Sequence, residues 1–133
     1  TRIDPPVIGK RVMPEEIAHE VEHMMESVAL PGGGGIKAAV RDYRVAVKTG
    51  TAKKIDDSGK YVDKYVAYTA GVAPASDPRF ALVVVINDPQ NGAYYGGAVS
   101  APVFSEIMGN VLRLENVKPD GLPADSSHLI VMR

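Results

Sequence analysis

Val45-Ala46-Val47-Lys48-Thr49-Gly50-Thr51-Ala52 is the stretch on which the reading of this chain turns. Three apolar residues, two of them β-branched, give way to a cation, a hydroxyl, a glycine and a second hydroxyl. With no polar alternation at its start, the stretch predicts a strand in the middle of a sheet. Its Lys-Thr-Gly-Thr end places donors where the strand emerges at a surface. Gly50 has no side chain, so a ligand or another backbone can come close there. Donors around bare backbone suit an anion, for instance a carboxylate.

Outward from this strand the pattern stays β on the C-terminal side. Lys53 to Lys64 is polar, with a turn signal at Asp57-Ser58-Gly59, and reads as a long hairpin connection. Tyr65 to Val72 is the returning strand, rich in aromatic and β-branched residues. After a turn over Pro74 to Pro78, Phe80 to Ile86 is a third strand, apolar throughout and so expected to be covered on both faces. Asn87 to Gly97 reads as a Gly-rich loop carrying Tyr94 and Tyr95. Ser100 is the expected N-cap of a helix whose stripe is Val103, Phe104, Ile107, Met108, Val111 and Leu112. Beyond Leu114, Pro119, Gly121 and Pro123 suggest a tail with little structure, with His128 exposed in it.

On the N-terminal side, Pro14, Glu15 and Glu16 open a helix running to about Leu30, with Ile17, Val21, Met24, Met25 and Val28 on one stripe. Within it His19-Glu20-Val21-Glu22-His23 matches the His-Glu-x-x-His zinc signature in form. Both histidines point away from the apolar stripe, and Ala29 stands where one zinc family places a third ligand. The segment therefore reads as a solvated face, and no metal is expected. Gly32 to Gly35 follows a helix and leads to a strand, the reverse of a phosphate loop, and reads as a flexible connection near the Lys48 strand. The whole is an α/β chain of the α+β type, an antiparallel meander flanked by helices.

Composition bounds the function classes. The 133 residues suffice for one domain, and 45% apolar with 23% charged residues is ordinary for a folded protein. Fifteen basic against sixteen acidic residues leave no field to draw in nucleic acid. The absence of cysteine removes disulfides and thiolate metal sites. The longest apolar run, Phe80 to Ile86, is too short to span a bilayer as a helix.

Lys48-Thr49-Gly50-Thr51-Ala52 resembles the Lys-Thr-Gly element of penicillin-recognising serine enzymes. Tyr68 to Pro74 and Phe80 to Pro89 resemble the strands that follow it in class B penicillin-binding proteins. Tyr94 to Phe104 resembles the loop and final helix of their division-specific branch. The likeness covers roughly residues 3–114. It implies that residues 1–114 are the C-terminal portion of a transpeptidase domain and 115–133 a tail. The implied activity is peptidoglycan D,D-transpeptidation in septal wall synthesis, through a serine acyl-enzyme and without cofactor. Lys48 would join the polar network around the nucleophile. Thr49 and Thr51 would hold the carboxylate of a D-Ala-D-Ala stem peptide or a β-lactam beside Gly50, with the Lys48 amine at the mouth of the same groove. The Thr51 N–H would be one oxyanion donor. Tyr94 and Tyr95, with Tyr61 and Tyr65, would wall the acyl group. Implied partners are the remainder of the domain and division-complex proteins, at the periplasmic face of an inner membrane.

One departure limits what these residues can do. The family's Ser-x-x-Lys and Ser-x-Asn elements occur nowhere in the 133 residues. The chain is expected to be a piece that binds and polarises substrate without supplying the attacking atom, and one side of its sheet is expected to receive missing strands and helices. The alternatives are a β-lactam-sensing domain, a D,D-carboxypeptidase, or a non-catalytic interaction module on the same fold. Labelled penicillin should leave this chain unlabelled when it is presented alone; a covalent adduct on any of its serines, found by mass spectrometry, would overturn that expectation.

Overall fold

The computed structural model describes residues 9–121. Helix α1 (Glu15–Glu26) is followed by single 3-10 turns at Ser27–Ala29 and Ile36–Ala38. Strands β1 (Ala46–Ile55), β2 (Tyr61–Ala73) and β3 (Phe80–Asn87) and helix α2 (Gly96–Leu114) complete the order. The strands form an antiparallel meander, β1-β2-β3, flanked by helices. His128 and the rest of the tail after Gly121 lie outside the described residues.

Strand alternation sorts the sheet into two unlike faces. Val47, Ala67, Thr69, Ala73 and Val84 are buried toward α2, where Phe104, Met108 and Leu112 meet them. These three helix residues recur every four positions, and burying each is worth about 2 kcal/mol before entropy. Val103 and Ile107, expected on the same stripe, lie at its margins and stay more than a third exposed. The opposite face carries Tyr68, Val83 and Val85, with Tyr68 paired to Val85. Val83 is 64% and Val85 59% exposed, so β3 is not covered on both sides among the described residues.

β1 is an edge strand here, not the middle one. Its dry start has a different cause: Val45 and Val47 join a core cluster with α2 and with Ala29, Ala38 and Val40, and Ala46 between them is also buried. The hairpin connection is also short. β1 runs on to Ile55 and β2 begins at Tyr61, leaving Asp56–Lys60 as the turn. The Asp56 carboxylate closes it, accepting from the Ser58 N–H and hydroxyl and the Lys60 N–H, while Gly59 takes φ +81°. The polar residues Lys53 to Lys64 hid two strand ends because that part of the hairpin projects beyond the core and buries neither face.

Pro14 caps α1 from outside the helix, and Glu15 and Glu16 occupy its first turn. No residue of α1 is buried: Ile17, Val21 and Met24 are 45%, 40% and 64% exposed. The expected stripe is only partly used: Met25 is half-buried and Val28 packs against the core, while Ile17, Val21 and Met24 stay exposed. His19 and His23 are spent on Glu22 and Glu26, each at 3.2 Å, and no cluster of metal-ligating side chains forms among the described residues. Ser100 is not an N-cap either. It lies inside α2, fully buried, and the helix begins four residues earlier at Gly96. Pro102 therefore sits in the second turn, where no N–H is available for the Ala98 carbonyl.

Residues 115–121, read as the start of a tail with little structure, form no helix or strand of their own but are tied to the rest of the fold. The Tyr43 hydroxyl donates to the Val117 carbonyl at 2.6 Å, and the Gly121 N–H to Asp42. Asp120 accepts from the N–H groups of Arg44 and Ser76. Arg44 also forks onto Glu26 with two 2.7 Å bonds, joining the end of α1 to the approach to β1. This fork holds the Glu26 carboxyl below the usual glutamate range, against a smaller opposing push from burial. A depressed folded-state value means that the contribution is present at neutral pH and is lost as pH falls through that value. Melting temperatures should therefore show a gap between wild type and Glu26→Gln near neutral pH that closes on acidification; a gap independent of pH would refute this role for the carboxylate.

Candidate functional site

At the middle of β1 the same alternation separates the Lys-Thr-Gly-Thr side chains. Thr49 and Thr51 lie on the α2 side of the strand, where the Thr69–Ser100 contact and the Gly96–Thr51 bond are made. Lys48 and Gly50 belong to the other side. Lys48 is exposed and its ammonium donates to the Thr49 carbonyl at 2.6 Å. The expectation that Lys48, Thr49 and Thr51 all face one groove is therefore not met among the described residues.

An open cleft of about 570 Å³ lies beside the threonines. Thr49, Gly50 and Thr51 form its floor, Tyr95 to Ala98 one wall, and Gly34, Ile36 and Lys37 the other. Among the described residues no acidic side chain lines it, and Lys37 brings a positive charge to its mouth. The first turn of α2 faces the cleft, adding the partial positive charge of a helix N-terminus. These donors can hold an anion.

Glycine contacts make this geometry possible. A Cβ on Gly96 would sit 2.5 Å from the backbone oxygens of both Gly50 and Tyr68, so the start of α2 rests directly on β1 and β2. A Cβ on Gly97 would collide with the Gly34 carbonyl, and one on Gly50 with the Tyr68 ring. The close approach expected at Gly50 is thus taken up by the chain's own Gly96 backbone and by Tyr68. The Gly32–Gly35 run is equally occupied. Gly33 and Gly35 donate to the carbonyls of Leu30 and Val28, and the run packs against α2 as a cleft wall, not merely as a slack connection.

Of the four tyrosines singled out, three come together. Tyr65 stacks on Tyr94 with centroids 4.0 Å apart, and Tyr94 meets Tyr95 at 4.4 Å. Tyr95 carries this stack to the cleft. The Tyr65 hydroxyl donates to Asp63 and that of Tyr94 to Tyr95. Its bond to Tyr95 pushes the Tyr94 phenol up to about 12, and Asp63 raises Tyr65, so both remain neutral donors at physiological pH. Tyr61 does not join them. It is 73% exposed opposite Ile55, six residues along β2 from the partner of Thr51, or about 20 Å at strand spacing.

Two features escaped the sequence reading. The cleft wall built by Gly96 and Gly97 was hidden because Gly-Gly reads as loop. The Thr69–Ser100 hydroxyl pair, 2.8 Å apart and wholly buried, left one trace, a lone hydroxyl at the apolar centre of a strand.

The fold and this cleft define a class. Residues 2–109 match the penicillin binding protein transpeptidase domain, and the chain belongs to that family. Within it the similarity is to the class B, penicillin-binding protein 3 branch. The chain is 67% identical over 132 residues to the peptidoglycan D,D-transpeptidase FtsI of Escherichia coli K12, covering 99% of this chain and 22% of the relative. It is 45% identical over 112 residues to the probable peptidoglycan D,D-transpeptidase PenA of Neisseria gonorrhoeae, covering 84% of this chain and 19% of that protein. The transpeptidase domain of Burkholderia pseudomallei penicillin-binding protein 3 superposes with a TM-score of 0.78 at 43% identity, over 92% of this chain and 37% of that one. The chain thus spans about a fifth of the length of the curated relatives it matches.

Gly96→Ala should destabilise the fold by about 2 kcal/mol or more, because backbone on both neighbouring strands must move. Gly34→Ala, where a Cβ meets nothing within 4 Å, should cost less than about 0.5 kcal/mol. Urea unfolding of the two variants checks the contrast; equal costs would remove the packing account.

Proposed function

We propose that this chain is the substrate-holding part of a peptidoglycan D,D-transpeptidase of septal wall synthesis, working within a longer protein. The observation that carries the reading is the cleft over Thr49, Gly50 and Thr51, which has hydroxyl donors, a helix N-terminus, a nearby cation and no acid. In this reading the terminal carboxylate of a D-Ala-D-Ala stem peptide, or that of a β-lactam, docks on Thr49 and Thr51. The Thr51 N–H, together with that of a serine outside residues 1–133, stabilises the oxyanion, each donor being worth about 3 kcal/mol in the transition state. Tyr95, backed by Tyr94 and Tyr65, walls the acyl side.

Lys48 acts from the other face of β1. Its present partner is one exposed backbone carbonyl, which leaves its charge available to the nucleophile's network once further parts of the domain cover that face. The exposed Tyr68, Val83 and Val85 supply the apolar ground for that cover. Residues 1–114 then form the C-terminal portion of the transpeptidase domain, and residues 115–121 clasp it from behind. Among the described residues no helix is long and apolar enough to cross a membrane. The place at the periplasmic face of the inner membrane and the contacts with division-complex proteins are what the resemblance to division-specific penicillin-binding proteins implies.

The intact protein carrying this chain should be acylated by labelled penicillin, and Lys48→Ala should slow acylation by about a hundredfold or more. Gel fluorescence over time reads the rate. Unchanged acylation in Lys48→Ala would remove Lys48 from the mechanism, and absence of any wild-type label would favour a non-catalytic interaction module.

A further inference from the structure

Behind the cleft runs a chain of hydrogen bonds whose direction is fixed by its ends. The Ser100 hydroxyl donates to the Gly96 carbonyl at 2.9 Å, since a carbonyl can only accept. With its one proton committed, Ser100 must accept from the Thr69 hydroxyl 2.8 Å away. At the other end of residue 96 the N–H can only donate, and it donates to Thr51 Oγ1 at 3.0 Å. Thr51 is therefore held as an acceptor by the protein, and its hydroxyl proton is left for the cleft.

Thr69 and Ser100 are both 0% exposed and every described buried side-chain polar atom has a partner. Ser100 bonds two groups at once, fastening the first turn of α2 to the centre of β2. Gly96 in turn sits against Gly50 and Tyr68 too closely for any side chain. The Gly96 N–H and C=O belong to successive peptide planes that meet at its Cα, so Thr51 and Ser100 hold the residue from both sides and together restrict the φ and ψ that aim the N–H.

We propose that Thr69 and Ser100 are positioning residues that preset the Thr51 hydroxyl as a donor into the cleft. They select for a ligand group that accepts, a carboxylate above all, and against an ammonium or other donor. The inference rests on the reading of the cleft as a carboxylate site and adds what makes Thr51 selective. Neither Thr69 nor Ser100 touches the ligand; both act through Gly96.

The test uses the intact protein with a labelled penicillin and its methyl ester, which keeps the reactive ring and loses the anionic acceptor. Ser100→Ala should reduce the preference for free acid over ester by about tenfold, the scale of one charge-assisted hydrogen bond. The isosteric Thr69→Val, which keeps the core volume, should move the same ratio in the same direction and guards against a folding failure in Ser100→Ala. In a Thr51→Val background neither change should shift the ratio further. A merely structural role would slow acid and ester alike, or add fully to Thr51→Val, and either result overturns the proposal. Protection of the Gly96 amide against hydrogen exchange, read without ligand, should fall in Ser100→Ala and in Thr51→Val. Unchanged protection overturns the relay whatever the labelling gives, whereas an unlabelled wild type with the expected exchange pattern overturns only the carboxylate reading of the cleft.

Discussion

The seating of Gly96 on the backbones of Gly50 and Tyr68 is the contact on which the rest of the structure depends. A helix cannot normally start this close to a sheet, since a Cβ would stand 2.5 Å from two carbonyl oxygens. With glycine there, α2 enters low over β1 and β2. Its later residues Phe104, Met108 and Leu112 then fall on the apolar face of the sheet. The same contact sets the helix N-terminus beside Thr49 and Thr51, so core packing and the cleft share one origin.

That shared origin explains why the polar groups of the site are so fully used. Thr51 takes the Gly96 N–H, Ser100 takes the Gly96 carbonyl, and Thr69 completes the set. In a low-dielectric setting an unpartnered hydroxyl would be costly, so a satisfied network also holds its members in single orientations. The cleft-facing groups gain their direction from buried ones. On the outer side the tyrosine stack is held by its own hydroxyls and by Asp63, and through Tyr95 it gives the cleft an aromatic wall.

The two faces of the sheet describe a protein whose site lies between a finished half and an open one. Toward α2 the sheet is packed except at the cleft. On the other side Tyr68, Val83 and Val85 are exposed, α1 shows Ile17, Val21 and Met24, and among the described residues Lys48 bonds only a neighbouring carbonyl. Relatives that are about five times longer make the open face understandable as ground for further structure. The Glu26–Arg44–Asp120 clasp lies at the far end of β1 from the cleft and fastens the strand's start to both helical ends of the chain.

By itself the sequence determined the three strands in order, the two helices and the family, because these rest on local pattern and motif. It misplaced what depends on distant partners. The dry start of β1 signalled burial, but whether strands or helices supply it is a tertiary matter, and β1 proved to be an edge. The polar ends of the hairpin carried no periodicity because neither face is buried. Gly96-Gly97 read as loop because glycine is a poor helix former; only the backbone of β1 beneath it shows why glycine is required. Alternation could have put Lys48 and Thr49 on opposite faces from sequence alone, yet which face holds the cleft was decided by where α2 lands.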